Sequence, residues 1–117
     1  MELAHLQQYS VPALLVLFFG WRFFRRIQVR RQLPGLLARG AVVVDVRSRN
    51  EFASAASAGS INIPLDEIEQ GIKELDRHKP VVLCCASGTR SMMASKILKQ
   101  RGFDCVINAG PWKNTIL

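Results

Sequence analysis

Val81-Val82-Leu83-Cys84-Cys85-Ala86-Ser87-Gly88-Thr89-Arg90-Ser91 is an apolar run that stops at a cysteine, turns through a short loop with a glycine, and enters an amphipathic segment. The run has the composition of a buried strand, and Met93, Ala94, Ile97 and Leu98 recur at helical spacing after it, which predicts a helix from Ser91 to Arg101 ended by Gly102. A strand, a short loop and a helix in that order make an anion cradle. The loop N–H groups point inward, and the helix N-terminus adds roughly half a positive charge. A thiol held there is pushed toward thiolate and acts as a nucleophile. The competing reading is that Cys85 merely ends a buried strand, since free cysteine is among the most buried residue types.

The same alternation extends outward from this stretch. Upstream, Leu33 to Arg39 reads as a short helix entered at Pro34 and stopped at Gly40. Ala41 to Val46 is a β-branched strand, and Ser48-x-x-Glu51 is a capping box that opens a short helix. Ser60 to Ile63 is a short strand closed by Pro64. Asp66-x-x-Glu69 is expected to open a helix that turns Ile68, Ile72 and Leu75 inward and pairs Glu69 with Lys73. Downstream, Asp104 to Ile107 is the last strand. Strands alternating with helices imply an α/β fold whose mostly parallel sheet is covered on both faces. Ligands in such folds sit beyond the carboxyl ends of the strands, where Cys85, Arg47 and the Ala109-Gly110-Pro111-Trp112 segment all fall. Asp45 and Arg47 also read as a structural ion pair, and Trp112 as a cap on the core.

At 117 residues the chain holds one such domain. Its formal charge of +7 is uneven: residues 1–31 hold five Arg against one Glu. The later part does not interleave aromatic with basic residues, which argues against nucleic acid as a partner. Cys84, Cys85 and Cys105 offer neither a C-x-x-C pair nor a zinc-like Cys/His spacing. His5 and His78 stand apart from any acid or cysteine at useful spacing and read as surface residues.

The N-terminal segment is of another kind. Tyr9 to Phe24 reads YSVPALLVLFFGWRFF and is followed by Arg25, Arg26, Arg30 and Arg31. As a helix it spans ~24 Å, short of a ~30 Å hydrocarbon core unless Arg22 snorkels and Leu6 or Ile27 joins the span. The absence of a basic start and of a small-x-small cleavage site disfavours a secretory signal. Residues 1–26 are therefore expected to be a single transmembrane anchor carrying a domain at residues 27–117. The arginines after residues 9–24 place that domain in the cytoplasm. An interfacial helix and a helix docked on the domain are the alternatives.

Several pieces in order resemble a single-domain rhodanese. They are Asp45-Val46-Arg47, Glu51-Phe52, Gly59-Ser60-Ile61-Asn62-Ile63-Pro64-Leu65, Cys85-x-x-Gly88-x-Arg90-Ser91, and Asn108-Ala109-Gly110-Pro111-Trp112. The match covers residues 27–114, about three quarters of the chain. The resemblance implies a three-layer rhodanese-like fold and a sulfurtransferase. Cys85 would accept a sulfane sulfur from a donor (thiosulfate or a persulfide), become a persulfide, and pass the sulfur to an acceptor thiol or cyanide. The loop Ala86, Ser87, Gly88, Thr89, Arg90 and Ser91 would hold the anion, with Asp45, Arg47 and Trp112 lining or supporting the pocket. The resemblance calls for no metal and no organic cofactor.

Two departures stand out. The Gly-His-Ile-Pro-Gly element of many rhodaneses is replaced by Ala55-Ala56-Ser57-Ala58-Gly59, and the residue after the cysteine is Ala86 instead of a polar one. With Ala86 there, thiosulfate has weaker grounds as donor than a persulfide. Two rival functions share the fold. One is a non-catalytic sensing or binding module. The other is a phosphatase or arsenate reductase, whose loop is Cys-x5-Arg. Counting from Cys85 gives Cys-x4-Arg and counting from Cys84 gives Cys-x5-Arg; the resemblance to rhodaneses, which place a glycine three residues after the nucleophile, implies Cys85 through Gly88.

Overall fold

The computed structural model describes residues 2–117. Its elements in order are α1 (Glu2–Ala38), β1 (Val42–Asp45), α2 (Arg49–Ser54), β2 (Ile61–Asn62), α3 (Ile68–Gly71), β3 (Val81–Cys85), α4 (Thr89–Gln100) and β4 (Val106–Pro111). Short 3-10 turns at Leu65–Glu67 and Ile72–Glu74 flank α3, and a third follows β4 at Trp112–Thr115. The four strands form one parallel sheet in the order β2-β1-β3-β4. The β-branched β1 and β3 lie at the centre and are almost fully buried, as strands covered on both faces must be.

Side chains alternate across this sheet, so two cores form. On one face Val44, Val46, Val81, Leu83 and Cys85 pack with Ile68 and Ile72 and with Ala94 and Leu98 of α4. On the other, Val43, Val82, Cys84 and Ala109 pack against Val29, Leu33 and Leu36 of α1. This is the expected three-layer arrangement. Leu75 joins the first core at its margin.

Of the two capping boxes expected from the sequence, one forms. The capping box at Ser48 and Glu51 forms with both of its hydrogen bonds. The Asp66-x-x-Glu69 box does not form. Pro64, which lacks an N–H, precedes a 3-10 turn there with no side-chain cap. Glu69 pairs with Arg101 instead of Lys73, and Lys73 donates to Gln70. Helix α4 presents Ser91, Ala94, Ser95 and Leu98 inward and leaves Met93 half exposed, a rotation from the expected face. His78 has an acid neighbour distant in sequence: its ring lies 2.9 Å from Asp104, and that hydrogen bond raises its pKa above the ordinary value.

The largest departure is in α1. No separate helix begins at Pro34, and one helix of 37 residues runs unbroken from Glu2 through both Pro12 and Pro34. Pro34 deprives the Arg30 carbonyl of its helical donor. Both residues are exposed, which leaves that carbonyl on the solvent side, while Leu33 and Leu36 on the opposite side lock the helix to the sheet. The helix is long and apolar enough to cross a membrane. Its large apolar residues from Leu3 to Phe24 are exposed, and the molecule is 61 Å long against 31 and 29 Å across.

Candidate active site

Cys85 is the last residue of β3, and α4 begins four residues later. The turn between them closes on the sulfur. The Gly88 N–H donates to Cys85 Sγ at 2.9 Å, and Ser91 Oγ lies 3.5 Å from it. Gly88 reaches this geometry at φ +108°, in the left-handed region, and a Cβ there would sit 3.3 Å from the Gly110 Cα. Both the backbone angle and the closeness of β4 therefore require glycine. Gly88 also precedes α4 with no side-chain cap, which leaves the first helical N–H groups directed toward the loop.

The thiol's surroundings pull in opposite directions. Burial, the largest single influence, pushes the Cys85 pKa up. The Ser91 hydroxyl and the N–H groups of Ser91, Gly88 and Ser87 together outweigh it, and the net pKa is lowered. Cys84, one residue earlier, points to the other face. Burial, reinforced by the nearby Asp45 charge, pushes its thiol up to about 12. Cys105 is free and half-buried. One strand thus carries two adjacent thiols of opposite character, one set toward the anion and one held neutral.

Ser91 is braced from β4. Its hydroxyl donates to Asn108 Oδ1 at 2.7 Å, with the Gly88 carbonyl a second acceptor at 3.0 Å. The pairing of β3 with β4 shifts between Leu83 and Cys84, so Leu83 opposes Asn108 while Cys84 opposes Gly110. This bulge aims Asn108 at the loop, and the Gly110 N–H fixes its side chain at 2.9 Å.

Ala86, Ser87 and Thr89 are exposed on the outside of the turn. Arg90 is engaged by α2. Its two terminal nitrogens donate to the two Glu51 oxygens at 2.7 and 3.0 Å. That pairing, with the Ser48 backbone N–H, holds the Glu51 pKa down to about 2. Glu51 therefore both caps α2 and fixes the start of α4. Asp45, Arg47 and Trp112 form a separate cluster. Arg47 pairs with Asp45 at 2.7 Å and stacks on the Trp112 ring at 4.7 Å. Asp45 charges the surroundings of Cys84, and among the described residues no hydrogen bond joins this cluster to the Cys85 loop. Sequence reasoning assigned no role to Asn108 or to the Glu51 pairing. The Asn108-Ala109-Gly110 run signalled the first, and nothing local signals the second.

The family description "Rhodanese-like domain" matches residues 30–115. The Bacillus subtilis protein YrkF is 39% identical over 69 residues, which are 59% of this chain and 37% of that protein, so the chain spans well under half of that relative. "Thiosulfate sulfurtransferase GlpE" of Pseudomonas syringae pv. syringae is 36% identical over 83 residues, 71% of this chain and 77% of the relative. Among solved structures, "rhodanese with anions from E. coli" superposes with a TM-score of 0.59 at 33% identity, covering 63% of this chain and 89% of that one.

Proposed function

The chain belongs to the rhodanese-like domain family, and on that premise we propose that it is a sulfurtransferase working through a Cys85 persulfide. The observation that carries this reading is the Gly88 N–H at 2.9 Å from Cys85 Sγ, in a turn whose combined hydrogen bonds lower the thiol pKa in spite of burial.

In the first step the Cys85 thiolate attacks the terminal sulfane sulfur of the donor. The Sγ–S bond forms as the donor's own S–S bond breaks, and the electron pair leaves on sulfite from thiosulfate, or on a thiolate from a persulfide. In the second step an acceptor thiolate or cyanide attacks the outer sulfur of the Cys85 persulfide, and the Cys85 thiolate is released. The negative charge stays within reach of the same turn throughout. Donors fixed before the reaction stabilise such charge without reorganising. The pairing of Arg90 with Glu51 supports sulfur transfer over phosphoryl chemistry, because both guanidinium ends are engaged outside the loop.

The exposed stretch of α1 is read as a membrane anchor. A run in which Val16 is 71% and Phe24 64% exposed makes an apolar surface that a monomer does not leave in water. The arginines behind it support a cytoplasmic side for the domain under the positive-inside rule.

The test of the chemistry is intact mass after incubation with thiosulfate or a low-molecular-weight persulfide. The expected result is a gain of one sulfur, localised by peptide mapping to Cys85 and removed by cyanide. A chain that gains no sulfur from either donor would turn the reading to a non-catalytic module. Two further outcomes follow from the geometry. The alkylation rate of Cys85 by iodoacetamide is expected to rise through a midpoint below the ~8.5 of a free thiol, since the folded protein favours the thiolate. Gly88→Ala keeps the backbone N–H but cannot hold φ +108° without strain, and by displacing that donor is expected to slow persulfide formation by up to about a hundredfold. Wild-type rates in that variant would mean that the placement of the Gly88 N–H does not serve the reaction.

A further inference from the structure

The face of α1 that enters the core at Val29, Leu33 and Leu36 does not end there. One, two and three turns earlier the same side of the helix carries Arg25, which still reaches β4, and then Arg22 and Phe18, which overhang the domain. Between this overhang and the outer side of the Cys85 turn lies a cleft of about 910 Å³. Its α1 wall includes Trp21, Arg22, Arg25 and Arg26, and its domain wall includes Gly88 and Lys113. Four cations line it with no carboxylate. Arg25 closes the base, donating to the Asn108 carbonyl at 2.7 Å and to Gln28. Arg22, Arg26 and Lys113 are exposed, and among the described residues none has an acidic partner.

We propose that this cleft binds the headgroup of an anionic phospholipid. The position along α1 argues for that occupant over a soluble anion. The cleft opens at the end of the apolar run, where the first arginines follow it, which is headgroup height for a helix inserted to Phe24. Trp21 and the neighbouring phenylalanines offer the acyl chains an apolar wall, and the arginines and lysine offer the phosphate its donors. Asn108 carries the consequence inward. Its carbonyl takes Arg25 while its side chain takes Ser91, which stands 3.5 Å from Cys85 Sγ. A lipid in the cleft therefore rests against the groups that hold the sulfur turn. The inference rests on reading α1 as the anchor, and it needs no sulfur chemistry.

The test is native mass spectrometry of the full chain in detergent micelles, titrated with phosphatidylglycerol or phosphatidylcholine. One phosphatidylglycerol is expected to remain bound about tenfold more tightly than phosphatidylcholine, as a few nearby cations dictate. Arg22→Gln/Arg26→Gln and Lys113→Gln are each expected to remove that preference. Arg30→Gln/Arg31→Gln removes equal charge outside the cleft and is expected to keep it. Equal retention of both lipids, or equal loss in the Arg30/Arg31 variant, would overturn the site in favour of diffuse attraction. Displacement of the lipid by millimolar inorganic phosphate would overturn it in favour of a soluble anion. Carbonate extraction of membranes separately tests the anchor: a released chain defeats that reading, whereas a retained chain lacking a lipid preference defeats only the cleft.

Discussion

Cys85→Ser is expected to abolish sulfur transfer, a loss of about a thousandfold or more for a removed covalent nucleophile, whereas Cys84→Ser keeps most of it. The two residues are adjacent and equally buried, so composition does not separate them. What separates them is the pleat. Cys85 turns toward α4 and receives the Gly88 N–H, while Cys84 turns toward α1, beside Asp45, with its thiol pushed up to about 12. A hydroxyl at position 84 has Thr115 as a neighbour to bond, so its burial is partly compensated. Cys84→Ala, a small apolar deletion, serves as the second variant if the serine weakens folding. The measurement is the initial rate of thiocyanate formation with cyanide as acceptor, beside a thermal midpoint for each variant. An active Cys85→Ser chain with a dead but folded Cys84→Ala chain would mean that the register of the loop is wrong by one, and the longer phosphatase-type count from Cys84 would return.

That register was legible because it depends on residues within one turn of chain. Gly88 is required by a positive φ and a 3.3 Å approach, and such a requirement leaves a glycine in the sequence. The Ser48 and Glu51 box was legible for the same reason. The order of strands and helices, and the mostly parallel sheet that it implies, follow from periodicity and alternation, whereas the strand order β2-β1-β3-β4 is set by the long-range pairing. The features that escaped are those set by distant partners. Arg90 finds Glu51 from 39 residues away, and Arg25 finds Asn108 from 83. Of the α4 residues expected inward, Ala94, Ile97 and Leu98 pack on the core and Met93 does not, although hydrophobicity ranks Met93 above Ser91. The loop needs Ser91 under the sulfur, and once Ser91 faces inward, Ala94, Ser95 and Leu98 follow by helical spacing and Met93 does not. The continuity of α1 was hidden by Pro34, whose local preference is overridden by the packing of Leu33 and Leu36.

The second large effect is expected at Asp45, in stability and not in chemistry. Arg47 is 5% exposed and Asp45 is 0% exposed. The carboxylate takes the Arg47 Nε at 2.9 Å on each oxygen, and Oδ1 also takes the Arg47 backbone N–H at 3.0 Å. The guanidinium goes on to donate to the Ala55 carbonyl at 2.7 Å and lies on Trp112. Asn62 then bonds the carbonyls of both residues at 2.9 Å. One pair therefore ties the end of β1 to α2, to β2 and to the turn after β4. Asp45→Ala leaves a buried guanidinium without its counter-charge, which is expected to cost about 3–5 kcal/mol. Against the ~5–15 kcal/mol by which a domain is stable, that is enough to populate the unfolded state. A paired replacement behaves differently, since desolvating two charges largely offsets their attraction. Asp45→Leu/Arg47→Met is expected to recover most of the loss, although the tie to Ala55 goes. Urea unfolding of wild type, the single variant and the double variant reads the contrast, with sulfur transfer measured below the transition. A single variant as stable as wild type would show that water reaches Arg47 and the knot is dispensable. A folded single variant that loses transfer would move the pair from the scaffold into the working site.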